Sequence, residues 1–147
     1  MRFMAIVKAN KDSEAAVLPS KELLAAMGKF NEEMVKAGVL LAAEGLQPSS
    51  KGARVKFSGA KRTVIDGPFA ESKELIAGFW LLQVKSKEEA IEWIKRSPAP
   101  FEGDQESEIE IRQVFEASDF PADIFPPEDA AREQTLRDEL QRKAAKP

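Results

Sequence analysis

Gly78-Phe79-Trp80-Leu81-Leu82-Gln83-Val84-Lys85-Ser86-Lys87-Glu88-Glu89 is the stretch that decides the fold. In an extended chain Phe79 and Leu81 fall on one face, and Trp80, Leu82 and Val84 on the other. A strand apolar on both faces is covered on both, so Gly78 to Lys85 reads as a central strand. Ser86 with Glu89 three residues on is a capping-box pattern. The helix it opens packs Ala90, Ile91, Trp93 and Ile94 and stops before Pro98.

Moving outward, the segment from Phe3 to Lys8 has the same two-faced character, with Phe3, Ala5 and Val7 against Met4 and Ile6. Asn10 to Val17 reads as a polar loop. Pro19-Ser20 then opens a helix with Ser20 as N-cap, and Leu23, Met27, Phe30 and Met34 form its apolar stripe, widened by Leu24 and Val35. Gly38 ends it. A strand from Val39 runs into Glu44-Gly45-Leu46-Gln47-Pro48, and residues 48–52 form a turn. Arg54 to Ser58 and Lys61 to Asp66 pair as a hairpin about Gly59-Ala60, the glycine-first order that a type II′ turn prefers. After a loop over 98–105, Glu108 to Glu116 alternates, with Ile109, Ile111 and Phe115 opposite Glu108, Glu110 and Arg112.

The expected fold class is therefore α+β: a ferredoxin-like βαββαβ order with an extra hairpin and two helices on one face of a mainly antiparallel sheet. Two helices cover one face only, yet two strands are apolar on both. The simplest cover is the sheet of a second subunit, a homodimer enclosing a barrel-like interior. The α+β domain is expected over 1–117. Residues 118–147 read as an appendage, with Pro121, Pro126 and Pro127 followed by a charged helix carrying a thin stripe of Leu136 and Leu140. Ile124 and Phe125 are its expected docking residues, on its own subunit or a partner.

Composition narrows the chemistry. The chain has 147 residues, 43% hydrophobic and 32% charged, which suits one folded domain. A net charge of -3 with interleaved signs favours neither nucleic acid nor an anionic membrane. Cysteine, histidine and tyrosine are absent, so acid-base work falls to Asp, Glu, Lys or water. A metal site would have to be built of carboxylates. No phosphate-binding loop or dinucleotide fingerprint follows the first strand, so no cofactor is expected. The N-terminal apolar run lacks a signal-peptide pattern, and cytoplasmic residence is the expectation.

Asp66-Gly67-Pro68-Phe69 resembles the signature of the DGPF proteins, a branch of the YCII-related family. The resemblance continues through Glu71, Lys73 and Glu74 into Gly78-Phe79-Trp80, back to Glu44-Gly45-Leu46-Gln47-Pro48, and takes in Glu110-Ile111-Arg112. It implies a dimeric ferredoxin-like α+β barrel. It implies no single activity: the wider group includes a dehydrochlorinase-like activity on a chlorinated hydroxyquinol. Some relatives are proposed to use a His-Asp acid-base pair, which a chain without histidine does not possess.

Asp66 shares a face with Val64, so burial of Val64 would draw it inward as a general base; an Asp serving only the turn would sit in the same sequence. Glu44 ends an apolar strand, expected on the side of Leu40, Ala42 and Leu46, where it needs a partner such as Arg54, Arg112 or Lys73. That arrangement is equally an ion pair between strand ends or a second functional carboxylate. Phe69 and Trp80 are core or the wall of a small-molecule pocket. Two functions stay open. One is an enzyme of proton transfer, elimination or isomerisation on a small organic substrate, with Asp66 as the acid-base group and Glu44, Arg54 or Arg112 positioning an anionic or hydroxylated substrate. The other is a non-catalytic binding module.

Overall fold

A computed structural model describes residues 1–70, 74–103 and 105–145. The chain divides into two compact units, Met1–Val114 and Phe115–Pro147.

The first unit is α+β. Strand β1 (Arg2–Lys8) leads through a short helix α1 (Lys11–Glu14) to the long helix α2 (Lys21–Lys36) and strand β2 (Leu40–Gly45). A 3-10 turn (Ser49–Lys51) precedes a hairpin of β3 (Ala53–Ser58) and β4 (Lys61–Asp66). Strand β5 (Ile76–Gln83), helix α3 (Lys87–Lys95) and strand β6 (Ile109–Gln113) complete it. Four strands form an antiparallel sheet in the order β2-β5-β1-β6, and the hairpin is a separate two-stranded sheet. The two-faced strand is central, as its pattern requires: β5 pairs with β1 on one side and β2 on the other.

Helices α2 and α3 contribute to a core on one face of the sheet. Phe3, Ala5, Trp80 and Leu82 from the strands meet Phe30 and Met34 of α2 and Ala90 and Ile94 of α3. Phe30 presents its ring edge-on to Trp80, with 5.8 Å between centroids. Each such side chain withdrawn from water contributes about 1.5–3 kcal/mol. Capping fixes where the helices begin. The Ser20 side chain accepts from the Leu23 amide, and Ser86 accepts from the Glu89 amide. Gly38, at φ +72°, adopts the left-handed conformation that ends α2.

Strand pairing sorts the second face. Residues paired across antiparallel strands point the same way. Leu81 with Met4, and Phe79 with Ile6, therefore lie opposite the helix-covered side. Ala42 and Glu44 extend these rows on β2, and Arg112 and Glu110 extend them on β6. Met4, Ile6, Phe79 and Leu81 are half-buried there, and neither α2 nor α3 covers them.

Several local expectations are corrected. Residues 10–17 are not wholly loop: Asn10 caps α1 in a reciprocal box with Ser13. Leu24 and Val35 are exposed, so the α2 stripe is narrower than expected. Glu89 bonds the Lys85 amide, one residue beyond the cap it was expected to close. The register shift between Leu40 and Ala42 turns Leu40 toward the core and leaves Glu44 on the opposite face, separating two residues expected together. Phe115 does not continue the buried face of β6; it lies in the second unit and is 70% exposed. All twelve hairpin residues are exposed, Val64 and Asp66 among them, so Val64 does not draw Asp66 inward.

The second unit holds a 3-10 turn (Ala117–Asp119) and helix α4 (Pro127–Ala144). Phe120 stacks between Phe115 and Phe125, at 5.0 and 6.0 Å between centroids. Leu136, Leu140 and Ile124 are exposed. Among the described residues no helix is long and apolar enough to cross a membrane.

Candidate functional site

The first unit contains a cavity of about 710 Å³ on the helix side of the sheet. Its walls come from α2, the 12–19 segment, Val7 of β1, the adjoining ends of β2 and β5 with residues 46–48, and Pro100, Phe101, Glu102 and Gln105. Leu23 and Met27 of α2 face Val7, Ala43 and Trp80 of the sheet across it. These positions follow from local chemistry. The α2 stripe turns Leu23 and Met27 inward, and Gly78 lets β2 pass close to β5. A Cβ on Gly78 would lie 2.7 Å from the Glu44 carbonyl oxygen, so only glycine fits without a shift of backbone.

One polar side chain on the α2 wall has a defined orientation. The Trp80 indole N–H donates to Asn31 Oδ1 at 2.8 Å. Indole nitrogen is only a donor, so the amide must present its oxygen to Trp80 and keep both N–H groups for another acceptor. Asn31 stands four residues after Met27, on the same helix face, and it lines the cavity. A polar residue inside an otherwise apolar stripe was the available sequence signal, and it was missed.

The mouth is laced by hydrogen bonds. Gln105 Nε2 donates to Asp12 Oδ2 at 3.1 Å and to the Glu102 carbonyl at 3.0 Å, while Asn10 Nδ2 donates to Gln105 Oε1 at 3.1 Å. The Ser20 amide donates to the Glu102 carboxylate. Hydrogen bonding to Ser20 holds the Glu102 carboxyl below its ordinary range, because these bonds favour the ionised form.

The predicted site residues do not converge on this cavity. Glu44 borders it, although its side chain lies on the other face of the sheet, and Trp80 forms part of its wall. Arg112 is on the opposite edge strand from Glu44, three strand spacings or about 14 Å across the sheet and one row further along it. Its ion pair is with Glu110 at 3.9 Å, so Arg112 is not the partner of Glu44. Lys73 lies outside the described residues.

Asp66 ends β4 opposite Ala53, exposed, where the hairpin returns to the body. There the turn is bolted down by backbone contacts: the Gly67 amide donates to the Gly52 carbonyl at 3.0 Å and the Phe69 amide to Ser49 Oγ at 3.1 Å. The Ser49 amide in turn donates to Glu14 of α1 at 3.1 Å. The peptide bond between Gly67 and Pro68 is cis. Arg54 lies over the Phe69 ring, 3.8 Å from its centroid, which brings these two predicted residues together.

A four-stranded antiparallel sheet, two helices on one face and an apolar cavity between them define a small α+β protein with room for a ligand. A model of the YCII-related domain matches residues 1–118, and the chain belongs to that family. Over 86 residues it is 33% identical to the uncharacterized protein R00369 of Rhizobium meliloti (strain 1021), a match covering 58% of this chain and 64% of that protein.

Proposed function

We propose that this YCII-related protein is a small-molecule-binding module, built as a ferredoxin-like dimer, whose ligand occupies the cavity beneath α2. The cavity itself carries the reading. At about 710 Å³ it falls within the range of roughly 300–1,000 Å³ typical of ligand pockets. Its walls are mainly apolar, with Asn31 supplying an oriented donor. The strand order β2-β5-β1-β6 supports the ferredoxin-like assignment. The uncovered row of Met4, Ile6, Phe79 and Leu81 supports a second subunit facing it.

A ligand held here has an apolar body and a hydrogen-bond acceptor directed at Asn31. The test uses N-phenylnaphthylamine as a fluorescent probe, displaced by butyrophenone or by butylbenzene. Asn31→Asp keeps an acceptor for Trp80 and removes the amide donors. It is expected to weaken butyrophenone by about 5–10-fold, one hydrogen bond's worth, and to leave butylbenzene within about twofold. Equal weakening of both compounds would assign Asn31 to structure alone. Failure of the probe to bind at all would remove the cavity as a site.

The enzymatic alternative turns on Asp66. An exposed carboxylate on the hairpin, apart from the cavity-lining residues, fits a part in the turn better than proton transfer on a cavity ligand. Asp66→Asn is therefore expected to keep probe affinity within about twofold. A loss beyond about tenfold would return Asp66 to the binding site.

A further inference from the structure

The walls of the cavity carry one sign of charge. Asp12 and Glu102 line it, and no Lys or Arg does so among the described residues, although 22 of the chain's 147 residues are basic; Glu44 borders it too, but its carboxylate is on the other face of the sheet. Neither Asp12 nor Glu102 makes an ion pair with a described residue, whereas acids elsewhere on the surface, such as Glu32, Glu33 and Glu92, do. Asp12 and Glu102 stand at the mouth on either side of Gln105, Asp12 accepting from the Gln105 side chain and Glu102 from the Ser20 amide. The carboxylates do not gather as metal ligands; no group of three or more such side chains able to hold an ion occurs among the described residues. Phe101 and Trp80 add aromatic surface to the same space.

We infer that the cavity selects an organic cation: an ammonium carried on a compact apolar or aromatic body, its charge at the mouth beside Asp12 and Glu102. This rests on reading the cavity as the ligand site and adds the class of ligand it takes. The physical basis is direct. The apolar walls accept the body of the molecule, whatever its charge. An ammonium at the mouth donates charge-assisted hydrogen bonds to the carboxylates, roughly twice as strong as neutral ones, and is attracted by aromatic faces. A carboxylate in the same place meets like charge, with no Lys or Arg among the described lining residues to offset it. The ligand therefore differs in sign from the anionic substrate that Arg54 and Arg112 would have suited.

Three compounds with one shared body test this on the full-length protein at neutral pH: phenylbutylamine, phenylbutanol and phenylbutyrate, each displacing the neutral probe N-phenylnaphthylamine. The amine is expected to bind about 3–10-fold more tightly than the alcohol, and phenylbutyrate least of all. The preference should shrink as salt is raised, because the mouth is open to solvent. In the isosteric double variant Asp12→Asn/Glu102→Gln the amine-to-alcohol ratio should fall toward one. Probe binding with equal affinity for amine and alcohol, or with preference for phenylbutyrate, overturns the charge selection and leaves the cavity reading intact. Absence of probe binding overturns both.

Discussion

Gly67→Ala is expected to release the base of the hairpin from the body of the protein. A Cβ on residue 67 would lie 1.7 Å from the Ser49 carbonyl oxygen and 2.6 Å from its carbon. Both are backbone atoms, so no rotamer relieves the overlap; one turn must leave the other. Separation loses the Gly67 and Phe69 amide bonds to the 49–52 turn, and with them the seat of Phe69 under Arg54. Two neutral hydrogen bonds and one cation-π contact together amount to about 2–4 kcal/mol. The loss is local, because β3 and β4 are not strands of the main sheet and contribute nothing to its core. Hydrogen exchange should therefore quicken by roughly 30-fold or more at residues 67–70 and through the hairpin, while the β1 amides stay protected. Unchanged protection at Phe69 would refute the account, as would equal loss throughout the sheet. Gly78→Ala provides the contrast, since its obstacle belongs to the main sheet and its effect should be global.

The same geometry explains what could be read from residues alone. The two-faced run at 78–85 identified a central strand because a sheet offers few other places for apolar groups on both sides, and β5 is central. Ser20, Gly38 and Ser86 marked helix ends because cap chemistry is local. The hairpin pairing was legible for the same reason, with Gly59 at φ +59°. Its surroundings were not. Alternation of Val55 and Phe57 says that one face favours burial; it does not say against what, and these residues are exposed here. The register shift at Leu40–Ala42 was invisible because it depends on pairing with β5, and it alone reverses the expected side of Leu40 relative to Glu44. The cavity was hidden for a further reason. Its mouth is formed by Asp12, Glu102 and Gln105, far apart in the chain, joined by side-chain bonds that leave no periodic trace. Only Asn31 interrupted a pattern, and a single polar residue in a helical stripe has many structural explanations.

Leu81→Lys is expected to convert the proposed dimer into a monomer without disturbing the cavity. Leu81 lies in the middle of the uncovered sheet face, in a row running Ala42, Leu81, Met4, Arg112, and it does not line the cavity. If a second copy covers this face, Met4, Ile6, Phe79 and Leu81 from each subunit lose the water that they still meet. Each half-buried side chain then has about half of its 1.5–3 kcal/mol left to gain, giving about 6–12 kcal/mol for eight. That is of the same order as the cost of association, so the dimer stands on all of them together. A two-fold axis places the substitution on both subunits. Losing two leucine contacts costs about 1.5–3 kcal/mol, and bringing two ammonium groups into the same interface costs more. The dissociation constant should rise by at least about 100-fold. Sedimentation equilibrium reads the mass directly, and binding of the probe reports whether the cavity survives. A wild-type chain that sediments as a monomer, or a Leu81→Lys chain that stays dimeric, would show that the apolar face is covered by something other than its own copy.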